Sequence, residues 1–255
     1  MNCEEILREY DLIPWLDYFK ENNCSLNKEY HNGLHAYDMV ERCFVAARFY
    51  NLGVDVTKIL LLAALFHDFD HSCGMYTDDS RNISKAVVGF NNAYATIFDQ
   101  FKLYSLTESS KTFIVDIIKA TEFPYKSKDE WNDSKAIDAV EQFIGVMQLR
   151  DRHWPIMLTM LKAIICDADA MTILDTDKAK VKKQLKGLVI EGKRIAHKSA
   201  DEILETAKDF YDNYKFRTSW ARNYVKAGLW KHASEEALTM LEEICEEMGI
   251  KEYGN

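Results

Sequence analysis

Apolar residues recur at intervals of three and four along almost the whole chain, and this periodicity constrains the fold more than any other feature. Met39, Val40, Cys43, Phe44 and Ala47, for example, would share one face of a helix. Only 10 glycines and 3 prolines interrupt the 255 residues, too few for a turn-rich all-β fold. No alternation of apolar and polar residues is long enough to predict a sheet. The sequence therefore predicts an all-α protein.

The periodic segments are separated by polar or glycine-containing stretches and predict a series of helices. The first, over residues 4–19, contains Pro14 and is expected to bend or break there. Further helices are expected over residues 33–50, 56–68, 83–101, 108–120, 136–150, 155–173, 178–196, 200–214, 217–230 and 234–248. Because we find no internal repeat and no Gly/Ser linker, residues 1–255 are expected to form one helical domain. Its C-terminal helices, residues 177–250, would pack on the preceding core.

The charge balance limits the partners of the protein. The 41 acidic residues exceed the 32 basic ones and give a formal net charge of −9, which argues against nucleic acid as a partner. The longest apolar run, residues 59–66, is too short to span a bilayer. The acidic N-terminus lacks the features of a signal peptide. The six cysteines contain no CxxC pair, which indicates reduced thiols and a cytoplasmic location. Because the apolar run is short, we also expect no membrane partner.

Four of the seven histidines lie in two short segments. His31 and His35 are four residues apart at the start of a predicted helix and would share one face. The second segment is HDFDH, residues 67–71, at the end of an apolar helix. Imidazole nitrogens together with carboxylate oxygens are suited to bind a divalent metal that activates water. The two segments therefore indicate a metal site.

A third segment places two carboxylates, Asp167 and Asp169, within the apolar helix predicted over residues 155–173. Burial of a carboxylate is costly unless it is paired or bound to metal. Any one of these polar residues, taken alone, is compatible with a helix cap or a hydrogen-bonded core group. Their combination in one helical chain instead indicates a pocket in which titratable groups converge.

In this order the motifs resemble those of the HD-domain superfamily of metal-dependent phosphohydrolases. The stretch YHNGLHAYDMV, residues 30–40, is similar to the signature Y-H-N-x-x-H-A-x-D-V of class I cyclic nucleotide phosphodiesterases, and HDFDH is similar to their H-D-x-D-H. IIKATE at residues 117–122 and the Ala168-Asp169 pair resemble two further motifs. The resemblance covers residues 30–171 and implies an HD-domain or phosphodiesterase-like helical bundle with extra C-terminal helices.

The resemblance also implies roles for individual residues. The implied metal ligands are His35, His67, Asp68 and Asp169. Asp167 is the alternative to Asp169, and Asp68 would also bridge to a second metal. His31 would be the general acid that protonates the leaving oxygen, and His71 would orient the attacking water. The implied cofactors are one or two divalent ions of zinc, manganese, magnesium or iron.

Candidate substrate contacts lie around these motifs. Arg81 and Lys85, four residues apart after HDFDH, are suited either to clamp phosphate or to form a solvated charged pair. Glu122 lies where the resembling phosphodiesterases often have an aspartate near the metal. We assign Tyr30 and Asn32, which flank His31, to the same group.

The sequence therefore predicts an enzyme that hydrolyses a phosphoester of a nucleotide-like small molecule, with a 3′,5′-cyclic nucleotide as first choice. The phosphodiesterase pattern after HDFDH is altered by a residue inserted in SCG, residues 72–74, and we find no purine-clamping glutamine in its usual aromatic setting. A nucleotidase or a deoxynucleoside triphosphate triphosphohydrolase therefore stays an alternative. A di-iron oxygenase fits less well, because His153 is the only histidine between His71 and Asp167. A non-catalytic nucleotide-binding module and a homo-oligomer also stay open.

Overall fold

The structure, a computed structural model, describes residues 1–73, 75–76, 78–101, 108–122, 154–225 and 228–250. Within these ranges the chain forms eleven α-helices and no strand, so the all-α prediction is confirmed. The helices are α1 (Cys3–Glu9), α2 (Ile13–Asn22), α3 (Gly33–Phe49), α4 (Val54–Phe66), α5 (Ser80–Phe101), α6 (Glu108–Lys119), α7 (Trp154–Ala170), α8 (Lys178–Ala196), α9 (Ala200–Asn213), α10 (Ser219–Tyr224) and α11 (Leu229–Glu247). A 3-10 segment, Met171–Leu174, follows α7 directly.

The helix expected over residues 4–19 is broken into α1 and α2. Asp11 adopts a left-handed backbone conformation with φ 57°, which a continuous helix does not allow. The amide of Leu12 then donates to the carbonyl of Leu7 at 2.7 Å and closes the turn between the helices. The break comes before Pro14, which lies in the first turn of α2. Proline is tolerated there because the N–H groups of the first turn have no partner within the helix.

In contrast to the expected break in the first helix, the single helix predicted over residues 217–230 is wrong. The chain forms only the short α10, which ends at Tyr224. Helix α11 begins at Leu229, five residues before the predicted start at Ser234. Gly228 precedes α11 with φ 91°, a conformation that glycine adopts without steric cost. The helix predicted over residues 136–150 lies outside the described part of the chain.

Helix α4 lies at the centre of the main hydrophobic core. Ten of its 13 residues are buried, and it packs against α2, α3, α5, α6 and α7. A helix that is apolar on every side must be surrounded by other elements. Because His67 follows the last residue of α4, this packing carries its imidazole into the interior, where it is 1% exposed.

Helices α8, α9 and α11 form a second hydrophobic cluster, in which α11 packs against the other two. The segment between α9 and α11 connects this cluster to the main core, because Trp220 and Ala221 of α10 belong to that core. Among the described helices, none combines the length and hydropathy that a membrane crossing requires.

Candidate metal centre

The start of α3 positions the first predicted ligand. The side-chain oxygen of Asn32 accepts hydrogen bonds from the amides of Leu34 and His35 at 2.9 and 3.1 Å, and its amide nitrogen donates to the carbonyls of Lys28 and Glu29 at 3.0 and 2.9 Å. These bonds use the hydrogen-bonding groups of the side chain and fix the first turn of the helix. We therefore assign Asn32 to the cap and not to substrate contact.

Four side-chain atoms meet where α3, α4 and α7 approach one another. His35 Nε2 lies 3.2 Å from His67 Nε2, 3.2 Å from Asp68 Oδ2 and 3.3 Å from Asp169 Oδ1. His67 Nε2 lies 3.0 Å from the same Asp68 oxygen. The structure thus brings together the four residues predicted as ligands from three separate sequence motifs.

A hydrogen bond from the second ring nitrogen of His67 fixes the orientation of the imidazole. His67 Nδ1 donates to the carbonyl of Ala64 at 2.8 Å, and this bond directs Nε2 towards the other three groups. Burial alone would lower the pKa of His67, but the Asp68 carboxylate and the more distant Asp169 raise it to about 9. The imidazole is therefore stabilised as a cation between two carboxylates.

The same balance applies to the other members of the cluster. Burial opposes ionisation of His35 and Asp169, yet their mutual contact raises the pKa of the imidazole and lowers that of the carboxyl. A divalent cation bound among two imidazoles and two carboxylates would displace protons from this cluster. Two nitrogen and two oxygen donors are also a complete ligand set for such an ion. The residues present therefore fit a divalent metal.

His31, the predicted general acid, is held by a residue far away in the sequence. His31 Nδ1 lies 2.6 Å from Glu191 Oε2, and Glu191 Oε1 accepts from the amides of Tyr30 and His31 at 2.8 and 3.2 Å. The glutamate side chain is 2% exposed. Burial would raise the pKa of Glu191, but His31 and the Tyr30 amide hold it at about 2. Glu191 is thus an ionised, buried partner of His31.

Sequence reasoning missed Glu191. It is the only acidic residue in the basic stretch 178–198, and this was the available signal. The close approach of α8 to the loop before α3 depends on Gly187: a Cβ atom there would lie 2.5 Å from the carbonyl oxygen of Glu29 and 2.8 Å from the amide nitrogen of Tyr30. Because Glu191 is one helical turn beyond Gly187, this approach places its carboxylate at His31.

His71 packs on the other side of His31. The two rings are stacked with centroids 3.5 Å apart and an interplanar angle of 27°. His71 Nδ1 accepts from the amide of Cys73 at 3.0 Å, so the ring proton lies on Nε2, which is 3.7 Å from Asp79. Burial and the neighbouring His31 lower the pKa of His71. Within the pair, the neutral form of His71 is therefore favoured.

The other predicted substrate residues are more dispersed. The Tyr30 ring lies between those of His31 and His35, with centroid distances of 4.7 and 5.2 Å. Arg81 and Lys85 are exposed, and each cation lies 5.4 Å from the ring centroid of Tyr76. Glu122, half-buried, follows the C-terminal end of α6.

Asp167, the alternative ligand, faces a different part of the molecule. Its carboxylate accepts from the amide and hydroxyl of Thr218, both at 2.8 Å, from the amide of Arg217 at 3.0 Å and from the hydroxyl of Tyr214 at 2.9 Å. The side chain is fully buried. Burial raises the pKa of this carboxyl, and the hydrogen bonds oppose the rise only in part. Asp167 thus holds the segment before α10 against α7.

The arrangement of helices is that of the catalytic domains of phosphodiesterases. Two structures of the phosphodiesterase domain of the rhodopsin phosphodiesterase of the choanoflagellate Salpingoeca rosetta superpose with TM-scores of 0.62 and 0.60, at 14% identity, over 97% of this chain and 90% and 87% of theirs. LmjPDEB1 in complex with IBMX superposes with a TM-score of 0.55, at 13% identity, over 98% of this chain and 90% of that one. No family model and no curated protein matches the sequence. The likeness therefore establishes the fold, and membership of the HD-domain superfamily stays a prediction.

Proposed function

We propose that the protein is a metal-dependent phosphohydrolase that cleaves a phosphoester bond in a nucleotide-like small molecule, with a 3′,5′-cyclic nucleotide as first choice. The proposal depends above all on the convergence of four side-chain atoms, three of which lie within 3.3 Å of the fourth, His35 Nε2. The rings of His31 and His35 lie 6.1 Å apart, so the proposed proton donor would lie beside the proposed metal ligands. The phosphodiesterase-like fold supports the choice of substrate.

His35, His67, Asp68 and Asp169 would hold one divalent ion, and Asp68 would in addition contact a second. When bound, such ions neutralise charge on phosphoryl oxygens and make water a stronger nucleophile. Zinc, manganese, magnesium and iron are all compatible with nitrogen and carboxylate ligands. Asp167 is not assigned to this role, because Arg217 and Thr218 already occupy its carboxylate.

His31 acts as the general acid through Nε2, because Nδ1 is hydrogen-bonded to Glu191. Burial lowers the pKa of His31, but Asp68 and Glu191 raise it above its ordinary value. The doubly protonated ring is therefore favoured, and it can give the proton on Nε2 to the leaving alkoxide. Glu191 is a positioning residue that fixes the plane of the ring. His71, stacked on that ring, is the candidate for orienting the attacking water.

A nucleotide panel tests the proposed function. The manganese-loaded protein would be incubated with 3′,5′-cyclic nucleotides, nucleoside monophosphates, deoxynucleoside triphosphates and guanosine tetraphosphate, and the products separated by chromatography. We expect a cyclic nucleotide to give the 5′-monophosphate, and Asp68→Ala to give no product. Turnover of another panel member would retain the hydrolase and change its substrate. No turnover by a protein shown to hold metal would overturn the proposal.

His31→Ala separates the enzyme from a nucleotide-binding module. Removal of a general acid typically reduces the rate about 10²- to 10⁴-fold. We expect that loss in turnover, while manganese content measured by mass spectrometry stays that of the unmodified protein. A fully active His31→Ala variant would contradict the general-acid assignment. A protein that binds nucleotide tightly but forms no product, with or without this substitution, would be a binding module.

A further inference from the structure

We propose that a cavity away from the candidate metal centre binds a small organic monoanion with an aromatic or apolar body. The cavity lies between α1, α3, the 3-10 segment and α10 and has a volume of about 580 Å³. That volume is typical of small-molecule sites. None of the residues proposed to hold metal lines this cavity. The inference is therefore independent of the proposed hydrolase function.

The walls of the cavity supply apolar and aromatic contact. Phe44, Met171 and Leu174 line it together with Trp220 and Tyr224. The rings of Trp220 and Tyr224 are 6.4 Å apart between centroids, and Trp220 is 3% exposed whereas Tyr224 is 52% exposed. One ring is thus in the interior and the other open to solvent. Aromatic side chains of this kind suit a flat organic body.

The carboxylates at the cavity are already occupied. Asp38 and Asp175 both contact the ammonium group of Lys180, at 2.6 and 2.8 Å. Glu41 accepts a hydrogen bond from the amide of Cys3 at 2.9 Å. These three acidic groups therefore have partners within the protein and do not require a cationic ligand.

One cationic donor at the cavity, in contrast, lacks a strong acceptor. Arg42 makes hydrogen bonds only from Nη1, at 3.4 Å to Ala168 O and 3.4 Å to Thr172 Oγ1, and forms no ion pair with any residue in the described ranges. Hydrogen bonds of this length are weak, so the guanidinium can donate to a ligand oxygen. An anionic group beside Arg42 would accept those bonds. The Trp220 indole nitrogen has no accessible surface, so this residue would offer a ligand only its ring.

The total charge around the cavity limits the charge of the ligand. Arg42, Arg48 and Lys180 balance the three carboxylates at the cavity, so the lining side chains carry no net charge. A polyphosphate would meet little net attraction there, whereas a single carboxylate or sulfonate needs only the guanidinium of Arg42. The geometry therefore favours a monoanion that places its charged group at Arg42 and its apolar body on the aromatic walls.

The test uses 8-anilinonaphthalene-1-sulfonate, a fluorescent aromatic monoanion, with the full chain. We expect one saturable site and quenching of tryptophan fluorescence. Arg42→Gln should weaken binding about tenfold or more, because a charge-assisted hydrogen bond is lost. Trp220→Phe, which keeps an aromatic ring in the wall, should weaken it less. Lys182→Gln, at a surface position outside the cavity, is the matched control and should bind as the unmodified chain does.

Two further arms decide the outcome. The uncharged analogue N-phenyl-1-naphthylamine should bind the unmodified chain much more weakly than the sulfonate, and Asp68→Ala should bind the sulfonate normally. Equal affinity for the charged and uncharged probes would overturn the proposal, even if Arg42→Gln failed to fold. So would unchanged affinity in a folded Arg42→Gln variant, with folding checked by circular dichroism. Loss of binding in Asp68→Ala would assign the probe to the metal centre and also overturn the proposal.

Discussion

Asp169 and Asp167 are two residues apart on α7 but belong to two regions with opposite electrostatics. Asp169 contacts the His35 imidazole in the candidate metal centre, and this contact lowers the carboxyl pKa although burial opposes it. Asp167 accepts hydrogen bonds from amide and hydroxyl donors of the segment before α10, and burial raises its pKa. Burial alone therefore does not distinguish a candidate ligand from a structural carboxylate. The kind of partner does: Asp169 faces an imidazole, whereas the Asp167 carboxylate accepts hydrogen bonds from amides and hydroxyls, with the Arg217 guanidinium at 3.8 Å.

The largest effect expected from this comparison concerns metal binding. Asp169→Asn keeps the shape of the side chain but removes the anionic ligand, and we expect manganese affinity to fall about 100-fold or more, the upper range for loss of a ligand's support. Asp167→Asn should leave the affinity unchanged, because this carboxylate contacts no other predicted ligand. Isothermal titration calorimetry of both variants with manganese measures the difference. Equal losses in the two variants would remove the distinction between the regions.

The second prediction concerns the free energy of unfolding, for which Asp167→Asn should have the larger effect. Asp167→Asn replaces an acceptor with an NH₂ group that cannot accept from Thr218 and Arg217. Loss of a buried network of this kind is expected to lower the free energy of unfolding by about 3 kcal/mol. Asp169→Asn should lower it less in the metal-free protein, because the asparagine oxygen can still accept a hydrogen bond from His35 Nε2 and only the contribution of the charge is lost. Urea unfolding in the presence of a chelator tests the order, and a more damaging Asp169→Asn would contradict it.

A third buried carboxylate, Glu191, sharpens the rule that the partner determines the shift. Its pKa is about 2 in the folded protein against an ordinary value of 4.5. A depressed pKa stabilises the folded state above pH 5, and this contribution, about 3 kcal/mol, is lost as the pH falls towards 2. Glu191→Gln should therefore be less stable at pH 6, and the difference from the unmodified chain should shrink with acidification. A difference that stays constant from pH 6 to pH 3 would contradict the assignment.

The sequence was sufficient for the residues that lie in local motifs. His35, His67 and Asp169 could be grouped because each lies in a short pattern, and the helical periodicity correctly predicts the elements that carry them. It could not separate Asp167 from Asp169 by geometry, because residues two apart on a helix point in very different directions and the facing elements are unknown. The choice of Asp169 depended on the resemblance.

Glu191 lies beyond such local reasoning. It is 160 residues away from His31 in the sequence, and its carboxylate reaches the imidazole only because the second hydrophobic cluster packs against the first. The break between α10 and α11 was missed for a related reason, whereas Pro14 signals the break in the first helix. Apolar periodicity does not encode the left-handed conformation of Gly228.

The smallest effects test how α8 delivers Glu191 to His31. Gly187→Ala would push a Cβ atom into the backbone of Glu29 and Tyr30, where no flexible side chain can move aside. Overpacking of this kind is expected to cost about 1–3 kcal/mol and to displace the His31 loop from Glu191. Turnover should fall. The manganese affinity should change little, since His31 and Glu191 are not predicted metal ligands.

Gly192→Ala on the same helix is the matched control. Its Cβ atom would meet Ile203 at 3.7 Å, an ordinary contact distance. Alanine is the better helix former, so the substitution should raise the free energy of unfolding by about 0.5–1 kcal/mol and leave turnover unchanged. Thermal unfolding and turnover of the two variants decide the point. If both alanines were tolerated equally, the close approach at Gly187 would not be what positions Glu191.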